Sequence, residues 1–259
     1  MNWLYFKHLL IRTPLEGPAN RLRHLASAKA RKRHPELSEL NLESDRVEEI
    51  MRQIIKPSSN CIDIGCHIGS SLSSIMRCAP KGKHIAFEPV PWKAKWLEKK
   101  FPEVEVKQMA LGTMSEKRTF FINLSRPGFS GFFNDPSDKD VIQKVTVDCE
   151  KLDDMVSADR KFSYIKIDVE GAELFVLKGA RKTIQRDLPV ILFESSHDGS
   201  VKLGYHRDAL YSYFVDELGY EVFKVKDYLE QRGPLSLTNF QECAVYPFQA
   251  INFLAVPKK

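Results

Sequence analysis

Two short apolar runs, each carrying an acidic residue near its end, constrain the fold of this chain more than any other feature. Residues 60–69 read N-C-I-D-I-G-C-H-I-G, and residues 84–91 read H-I-A-F-E-P-V-P. Neighbouring parallel strands of an open α/β sheet carry such ends into one crevice, where Gly65 lets the backbone turn tightly beside a ligand. Glu88 would then lie at a strand tip, where a carboxylate accepts both hydroxyls of a ribose. Its separation of 25 residues from Asp63 (88 − 63) suits that role.

The loop after the first run differs from the dinucleotide-binding pattern G-x-G-x-x-G. It reads D-x-G-x-H-x-G, with Asp63 before the first glycine, His67 in place of a second glycine, and Gly69 at its end. Pyrophosphate needs the close approach that a middle glycine allows, and a carboxylate beside it is unfavourable. S-adenosylmethionine carries an ammonium and a sulfonium but no phosphate, so an acid suits it. The pattern therefore favours an S-adenosylmethionine site over a nicotinamide site, and the alternative is an ordinary tight turn without a ligand.

Composition limits the classes of protein that fit. The chain has 259 residues, enough for one large α/β domain, and 43% apolar and 28% charged residues are ordinary for a globular protein. No apolar run reaches the roughly 18 residues that a membrane span requires. Residues 1–11 are apolar but contain Lys7 and His8 and lack a small-residue cleavage site, so we do not expect a signal peptide.

The five cysteines are scattered along the chain, with an odd count and no paired spacing. This pattern predicts reduced thiols and a cytoplasmic location, and it argues against a disulfide framework or a zinc site. Cys66 lies in the glycine loop, where we expect a small side chain that fills the turn rather than a reactive thiol.

The N-terminal segment is the part of the sequence that suggests a partner other than the substrate. Residues 21–34 contain four arginines, two lysines and two histidines and no acid. Such a stretch suits nucleic acid, an anionic lipid surface or an acidic glycan, or it is the solvated face of a helix. It lacks the interleaved aromatic residues that single-strand binding usually needs, so nucleic acid is disfavoured. Residues 1–11 leave open a peripheral membrane contact or a dimer contact, against the simpler interpretation of a helix packed on its own domain.

The order of predicted elements indicates one α/β domain behind a helical extension. Residues 1–56 have a helical apolar pattern, and residues 57–259 alternate strands and helices, which predicts a parallel sheet with crossover helices. The last two strands are expected to form an antiparallel edge. The predicted strands are 61–64, 84–87, 104–109, 118–124, 141–148, 164–169, 190–193, 221–225 and 251–256. The predicted helices within the domain are 70–78, 92–100, 172–185 and 210–218.

The loop at residues 125–138 combines turn-forming residues with three phenylalanines. A loop of this kind can close over a bound substrate and exclude water. The alternative is a hairpin insertion whose phenylalanines simply pack.

A second motif, K-I-D-V-E-G-A-E at residues 166–173, follows a buried run and contains three acids. Here the sequence resembles FkbM-type methyltransferases. The other matching motifs are I-D-I-G-x-x-I-G (62–69), F-E-P-x-P (87–91), A-L-G (110–112), L-D (152–153), L-K-G-A (177–180) and F-E (193–194). Two positions depart from the family pattern: Cys66-His67 stands where a small residue and Asn are more frequent, and Met109 stands where a polar residue is expected.

The resemblance implies a Rossmann-like methyltransferase fold, with a seven-stranded, mostly parallel sheet and helices on both faces. It also implies an S-adenosylmethionine-dependent O-methyltransferase acting on a hydroxyl of a sugar, a glycan, or a glycosylated or secondary metabolite. The predicted cofactor-binding residues are Asp63, Gly65, His67, Gly69, Glu88, Gln108, Met109 and Asp168. The predicted catalytic residues, which align the acceptor oxygen and take its proton, are Asp168, Glu170 and Glu194.

Some assignments around this motif remain alternatives. Glu173 is expected to cap the following helix rather than to take part in catalysis. Asp168 and Glu194 could hold a divalent cation, but their spacing does not demand one, so we predict no metal. A ribose methyltransferase of nucleic acid and a non-catalytic protein that binds S-adenosylmethionine are the alternative functions. Base N-methylation is disfavoured because D-V-E-G stands at residues 168–171, where base methylases place an Asn/Asp-Pro-Pro-aromatic block.

Overall fold

The computed structural model describes residues 9–19, 33–134, 139–195 and 197–258. In chain order its strands are β1 (Cys61–Ile64), β2 (Ile85–Phe87), β3 (Glu105–Lys107), β4 (Ala110–Leu111), β5 (Glu116–Asn123), β6 (Ile142–Glu150), β7 (Tyr164–Ile167), β8 (Val190–Glu194), β9 (Tyr220–Lys224) and β10 (Asn252–Pro257). The helices named below are α1 (Ser38–Ile54), α2 (Ser70–Cys78), α3 (Pro91–Lys100), α4 (Leu152–Met155), α5 (Glu173–Gly179), α6 (Arg181–Asp187), α7 (His197–Lys202), α8 (Arg207–Ser212), α9 (Val225–Leu229) and α10 (Leu237–Glu242). Within these ranges no helix has both the length and the apolar character to cross a membrane.

The larger sheet has seven strands in the order β3-β2-β1-β7-β8-β10-β9. The first five strands are parallel, and β10 runs antiparallel to both of its neighbours. The predicted seven-stranded, mostly parallel sheet with an antiparallel terminal pair is confirmed. The chain moves outward in opposite directions on the two sides of β1 and β7, and such a switch point opens a crevice at the carboxyl ends of the strands.

Helices cover both faces of this sheet because successive strand residues point to opposite sides. On one face Ile62 and Ile165 pack with α5, α6, α8 and α10. On the other face Cys61 and Tyr164 pack with α2, α9 and with Ile50 of α1. The helix α1, which comes from the predicted N-terminal extension, is therefore part of the layer that covers the sheet. The division of the chain into residues 1–56 and 57–259 stays a prediction, and residues 1–8 and 20–32, with most of the basic segment, lie outside the described residues.

A second sheet of three strands, in the order β4-β6-β5, is a feature that the sequence analysis did not anticipate. The two strands predicted around the phenylalanine loop pair antiparallel as β5 and β6. The strand predicted at 104–109 ends early, because Met109 N–H donates to the Lys107 carbonyl and the chain turns away from the larger sheet. Ala110 and Leu111 then pair with β6. This second sheet brings the loop after β5 over the carboxyl ends of the larger sheet.

Two of the predicted helices have different limits in the structure. The helix predicted at 172–185 is divided into α5 and α6, because the Asp153 carboxylate accepts hydrogen bonds from Lys182 N–H at 2.9 Å and Thr183 N–H at 2.8 Å. Those bonds satisfy the free N–H groups of a new helix start. The helix predicted at 210–218 begins earlier, as α8, and continues into a π-helical turn, Tyr213–Glu217.

A buried carboxylate attaches α1 to the larger sheet. Glu43 Oε1 accepts hydrogen bonds from Ile251 N–H at 3.1 Å and Asn252 N–H at 3.2 Å, and its Oε2 accepts one from Asn252 Nδ2 at 2.7 Å. Burial raises the pKa of Glu43, while these donors oppose the shift. Asn252 lies opposite Glu194 in the sheet, so α1 is attached beside the carboxyl end of β8.

The substitution Glu43→Ala leaves three N–H donors without their acceptor. Because leaving a buried polar group unsatisfied costs about 1–3 kcal/mol, we expect the free energy of unfolding to fall by about 3 kcal/mol. Urea unfolding at pH 7 measures this change. The matched control is Glu49→Ala, which removes an exposed carboxylate from the same helix and should have little effect. Equal losses in the two variants would contradict the role given to Glu43.

Candidate active site

The carboxyl ends of four neighbouring strands meet at one edge of the larger sheet. Glu88 follows β2, Gly65 follows β1, Asp168 follows β7, and Glu194 ends β8. A cavity of about 280 Å³ lies over these ends. The predicted site residues that line it are Gly65, His67, Glu88, Met109, Asp168, Glu170 and Glu194.

Three predicted cofactor-binding residues do not line this cavity. Gln108 is exposed, and Gly69 stands at the start of α2. Asp63 is completely buried within β1. Direct contact between a cofactor and these three residues stays a prediction, and the position of Asp63 indicates a supporting role.

The backbone turn after β1 requires glycine. Gly65 has φ of +75°, and a Cβ atom at this position would lie 1.8 Å from the carbonyl oxygen of Asp168. Its N–H donates to the Phe87 carbonyl at 3.0 Å. Because only glycine leaves room for this approach, the ends of β1, β2 and β7 can lie close together beneath the cavity.

Glu88 both shapes this loop and faces the cavity. Its Oε2 accepts a hydrogen bond from His67 N–H at 2.8 Å, and its Oε1 accepts one from Val90 N–H at 3.0 Å. Burial raises the pKa of Glu88, while Lys93 and the two N–H groups oppose the shift. A carboxylate has about four lone-pair positions, so both oxygens can accept further hydrogen bonds from a ligand.

The sequence analysis missed a buried cation at the same edge, Lys166 in β7. Its Nζ donates to Asp168 Oδ2 at 2.9 Å and lies 3.8 Å from Asp63 Oδ1. Burial disfavours the charge of Lys166, but the two carboxylates outweigh burial and raise its pKa. Burial also raises the pKa of Asp63, which Lys166 opposes. The sequence contains a signal for this contact. The run Y-I-K-I is typical of a buried strand, and a lysine in a buried strand requires a carboxylate partner.

The three predicted catalytic side chains lie close together at the cavity. One carboxylate oxygen from each of Asp168, Glu170 and Glu194 lies within 4.8 Å of the other two. Burial, with the carboxylates of Glu194 and Asp168, raises the pKa of Glu170 to about 9. Burial, with Asp168, raises the pKa of Glu194 to about 8. The two glutamates therefore hold protons at neutral pH. The absence of a metal from the reaction stays a prediction.

Glu170 is held in a backbone conformation that non-glycine residues rarely adopt. Its φ is +52°, and Gly171 follows with φ of +95°. A Cβ atom at Gly171 would lie 2.3 Å from the carbonyl carbon of Gly199, so this turn packs backbone against backbone on α7. Tyr205 Oη donates to the Gly171 carbonyl at 2.6 Å, and Glu173 Oε1 accepts from Gly171 N–H at 3.1 Å. Glu173 thus supports the turn that presents Glu170.

A second cavity, of about 330 Å³, adjoins the first, and both Glu170 and Glu194 line the two cavities. Its other walls come from β5, from the loop after β5, and from α7. The aromatic residues are Phe121, Phe129 and Phe133, and the polar residues are Asn123, Arg126, Asn134 and Lys202.

The loop at residues 124–134, called the roof loop below, separates the two cavities. Pro127 and Ser130 line the first cavity, whereas Phe129 and Phe133 line the second. Phe132 packs edge-on against Phe120 of β5, with ring centroids 5.4 Å apart. Phe132 also lines the first cavity, so all three phenylalanines of the roof loop border a cavity, and its closure over a substrate stays a prediction.

The sequence matches the model of the methyltransferase FkbM domain over residues 63–222, well over half of the chain. The chain belongs to the FkbM methyltransferase family. The matched region begins at Asp63 within β1 and contains β2, β7, β8 and the roof loop, so it includes every acid of the site described above. No curated protein matches the sequence.

Several solved methyltransferase structures are similar to this chain at low sequence identity. An FkbM methyltransferase from Methylobacillus flagellatus KT is 18% identical, with a TM-score of 0.48 over 78% of this chain and 44% of that chain. This chain thus spans less than half of that protein. A methyltransferase-like protein from Streptococcus mutans in complex with S-adenosylhomocysteine is 11% identical, with a TM-score of 0.46 over 84% and 98% of the two chains. A sugar N-methyltransferase from Streptoalloteichus is 16% identical, with a TM-score of 0.33 over 61% and 49%.

The substitution Lys166→Met removes the cation between Asp63 and Asp168 and leaves both carboxylates without it. Breaking a buried ion pair from one side costs about 3–5 kcal/mol, so we expect a loss of this size in the free energy of unfolding. Urea unfolding at pH 7 measures it, with the exposed Lys178→Met as the matched control. A loss as small as that of the control would show that the carboxylates do not depend on Lys166.

Proposed function

We propose that this chain is an S-adenosylmethionine-dependent O-methyltransferase that acts on a hydroxyl of a sugar, a glycan, or a glycosylated or secondary metabolite. The observation that carries the proposal is the pair of adjoining cavities with Glu170 and Glu194 in both linings. A methyl donor in the first cavity and a hydroxyl in the second would meet at these two carboxyl groups. When bound, S-adenosylmethionine supplies a methyl group that its sulfonium has already activated for in-line transfer.

The first cavity suits this cofactor in several respects. Glu88 offers two oxygens to the ribose hydroxyls, and the turn at Gly65 lets the backbone come close to the ligand. Asp168 at the end of β7 provides a carboxylate for an ammonium or a sulfonium. A dinucleotide fits less well, because His67 stands where a pyrophosphate requires glycine.

The protein's own part in the reaction is to align the acceptor oxygen and to remove its proton. We assign the proton acceptor to Glu170 or Glu194, since both border the acceptor cavity as well as the cofactor cavity. When a carboxylate oxygen of either residue takes the hydroxyl proton, the electron pair of the O–H bond stays on the acceptor oxygen as a lone pair and makes that oxygen a better nucleophile. Asp168, which Lys166 holds at 2.9 Å, is assigned to orienting the bound groups.

The lining of the second cavity supports a sugar as the acceptor. Phe121, Phe129 and Phe133 offer flat apolar surfaces to the C–H faces of a ring, while Asn134 and Lys202 offer polar atoms to its hydroxyls. We also propose a cytoplasmic location, which the five free cysteines support.

Calorimetric titration with S-adenosylhomocysteine tests the cofactor site. We expect a dissociation constant in the micromolar range, equivalent to about −8 kcal/mol, and a loss of roughly 100-fold in Glu88→Ala. The loss has a physical reason, because this substitution removes the acceptor for both the ribose and the loop N–H groups. Glu98→Ala on the exposed side of α3 is the matched control. An absence of binding to the wild-type protein would contradict the proposed function.

The rate of methyl transfer should rise with pH. Because burial and neighbouring carboxylates raise the pKa of Glu194 to about 8 and of Glu170 to about 9, a base at either position is protonated below pH 7 and available above pH 9. Glu170→Gln or Glu194→Gln, whichever removes the base, should lower kcat by about 10²–10⁴-fold while S-adenosylhomocysteine still binds. Initial rates between pH 6 and pH 10 give the profile, and a profile without a rising limb would exclude both glutamates as the base.

The choice of acceptor separates the remaining alternatives. Methyl transfer is assayed with a panel of simple glycosides and with an RNA oligonucleotide. Transfer to glycosides alone is the expected result. Transfer to RNA alone would favour the ribose methyltransferase, and cofactor binding without transfer to any hydroxyl would favour the non-catalytic alternative.

A further inference from the structure

Lys93 is a buried lysine to which the proposed reaction gives no role. It lies in the first turn of α3, and only 2% of its surface is exposed. Its Nζ donates to the carbonyl oxygen of Pro127 at 3.2 Å and lies 5.7 Å from the centre of the Trp92 ring. Within the described ranges Lys93 forms no ion pair, and burial lowers its pKa while the more distant Glu88 and Glu170 oppose the shift. A buried ammonium needs compensating contacts, so the hydrogen bond to Pro127 is important to it.

The carbonyl that Lys93 contacts lies in a braced part of the roof loop. Pro127 begins a short 3-10 turn, and its carbonyl also accepts a hydrogen bond from Ser130 Oγ at 3.0 Å. The same Oγ accepts a hydrogen bond from Asn123 N–H at 3.1 Å. Gly131 exchanges two backbone hydrogen bonds with β5. These hydrogen bonds hold the roof loop together, and the contact of Lys93 with Pro127 joins the loop to α3.

The hydrogen bond between Lys93 and Pro127 joins two segments that each border the proposed reaction site. On one side, Lys93 follows Glu88 by five residues (93 − 88), and Val90 N–H at the start of α3 donates to the Glu88 carboxylate. On the other side, a Cβ atom built at Gly131 would lie 3.5 Å from the Cβ of Glu170, which is ordinary contact distance. Lys93 thus lies between the carboxylate assigned to the ribose and the loop that passes beside Glu170.

We propose that Lys93 is a positioning residue that ties the roof loop to the cofactor-binding segment, so that filling the first cavity fixes one wall of the second. The proposal rests on the proposed function, because it takes the first cavity as the cofactor site. Lys93 and Pro127 both line that cavity, so a ligand there packs against both partners of the hydrogen bond that joins the roof loop to α3. The closed position of the roof loop is then favoured, and the acceptor cavity is complete only after the cofactor has bound.

Hydrogen exchange of the full-length protein, followed by mass spectrometry on peptides that cover residues 124–134, tests this coupling. S-adenosylhomocysteine is the probe, and the proteins are the wild type, Lys93→Met, Lys93→Gln and Lys95→Met. We expect the ligand to slow exchange in the roof loop of the wild type by about tenfold or more, and to have no such effect in Lys93→Met. Lys93→Gln keeps an N–H donor and should recover part of the protection. Lys95→Met removes an exposed lysine of the same helix and should behave as the wild type.

The ligand affinity of each variant, measured by calorimetry, separates a failure of this proposal from a failure of the proposed function. Lys93→Met is expected to fold, because Lys93 forms no ion pair within the described ranges and the Pro127 carbonyl keeps its hydrogen bond from Ser130 Oγ. Because Lys93 lines the first cavity and coupling is reciprocal, this variant should still bind S-adenosylhomocysteine measurably, with an affinity lower by about tenfold at most. Equal protection of the roof loop in the wild type and Lys93→Met, with normal binding in both, would overturn the coupling alone. An absence of binding to the wild type would overturn the proposed function and the coupling together.

Discussion

The buried contact of Lys166 with Asp63 and Asp168 is the interaction on which the rest of the site depends. Lys166 and Asp63 lie opposite each other in β7 and β1, so the ammonium is held between two parallel strands at their carboxyl ends. Burying a carboxylate is costly unless a cation or hydrogen-bond donors compensate for it, and this lysine allows two acids to lie at one edge of the sheet. Glu170 and Glu194 lie beyond its hydrogen-bonding reach, and their pKa values rise. One set of strand ends therefore carries two acids that lie beside a buried cation and two that do not.

Hydrogen bonds from backbone N–H groups offset the cost of burying the other carboxylates. The same hydrogen bonds determine the shape of nearby loops. Glu88 fixes the turn after β1, Glu173 fixes the turn that carries Glu170, and Glu43 fixes α1 against β10. In each case a carboxylate that accepts hydrogen bonds from N–H groups determines where a nearby loop or helix lies. The site is therefore rigid where the cofactor would bind, because each of its turns is attached to the sheet by a side chain that is itself buried.

The sequence predicts those features that depend on neighbouring residues. The apolar runs around Ile64 and Phe87, the glycine turn and the acid after each run are local patterns, and the structure places them as strand ends. The contact of Lys93 with Pro127, and the capping of Thr183 by Asp153, join residues about thirty positions apart. The spacing of apolar residues in the sequence carries no information about such contacts. For this reason Lys93, the break before α6 and the second sheet were found only in the structure. Lys166 is the exception, since a lysine in a wholly buried strand already implies a partner.

The same distinction separates the two proposed parts of the site. The proposed cofactor contacts come from strand ends, whose positions are set by the whole ladder of hydrogen bonds in the larger sheet. The walls of the acceptor cavity come from the roof loop and α7, whose positions depend on a few side-chain contacts such as those of Ser130 and Lys93. A substitution in the roof loop can therefore reshape the acceptor cavity without disturbing Glu88 or Gly65. Among the described residues only Glu170 and Glu194 line both cavities, so under the proposed function selection of the acceptor and activation of its hydroxyl meet at these two residues.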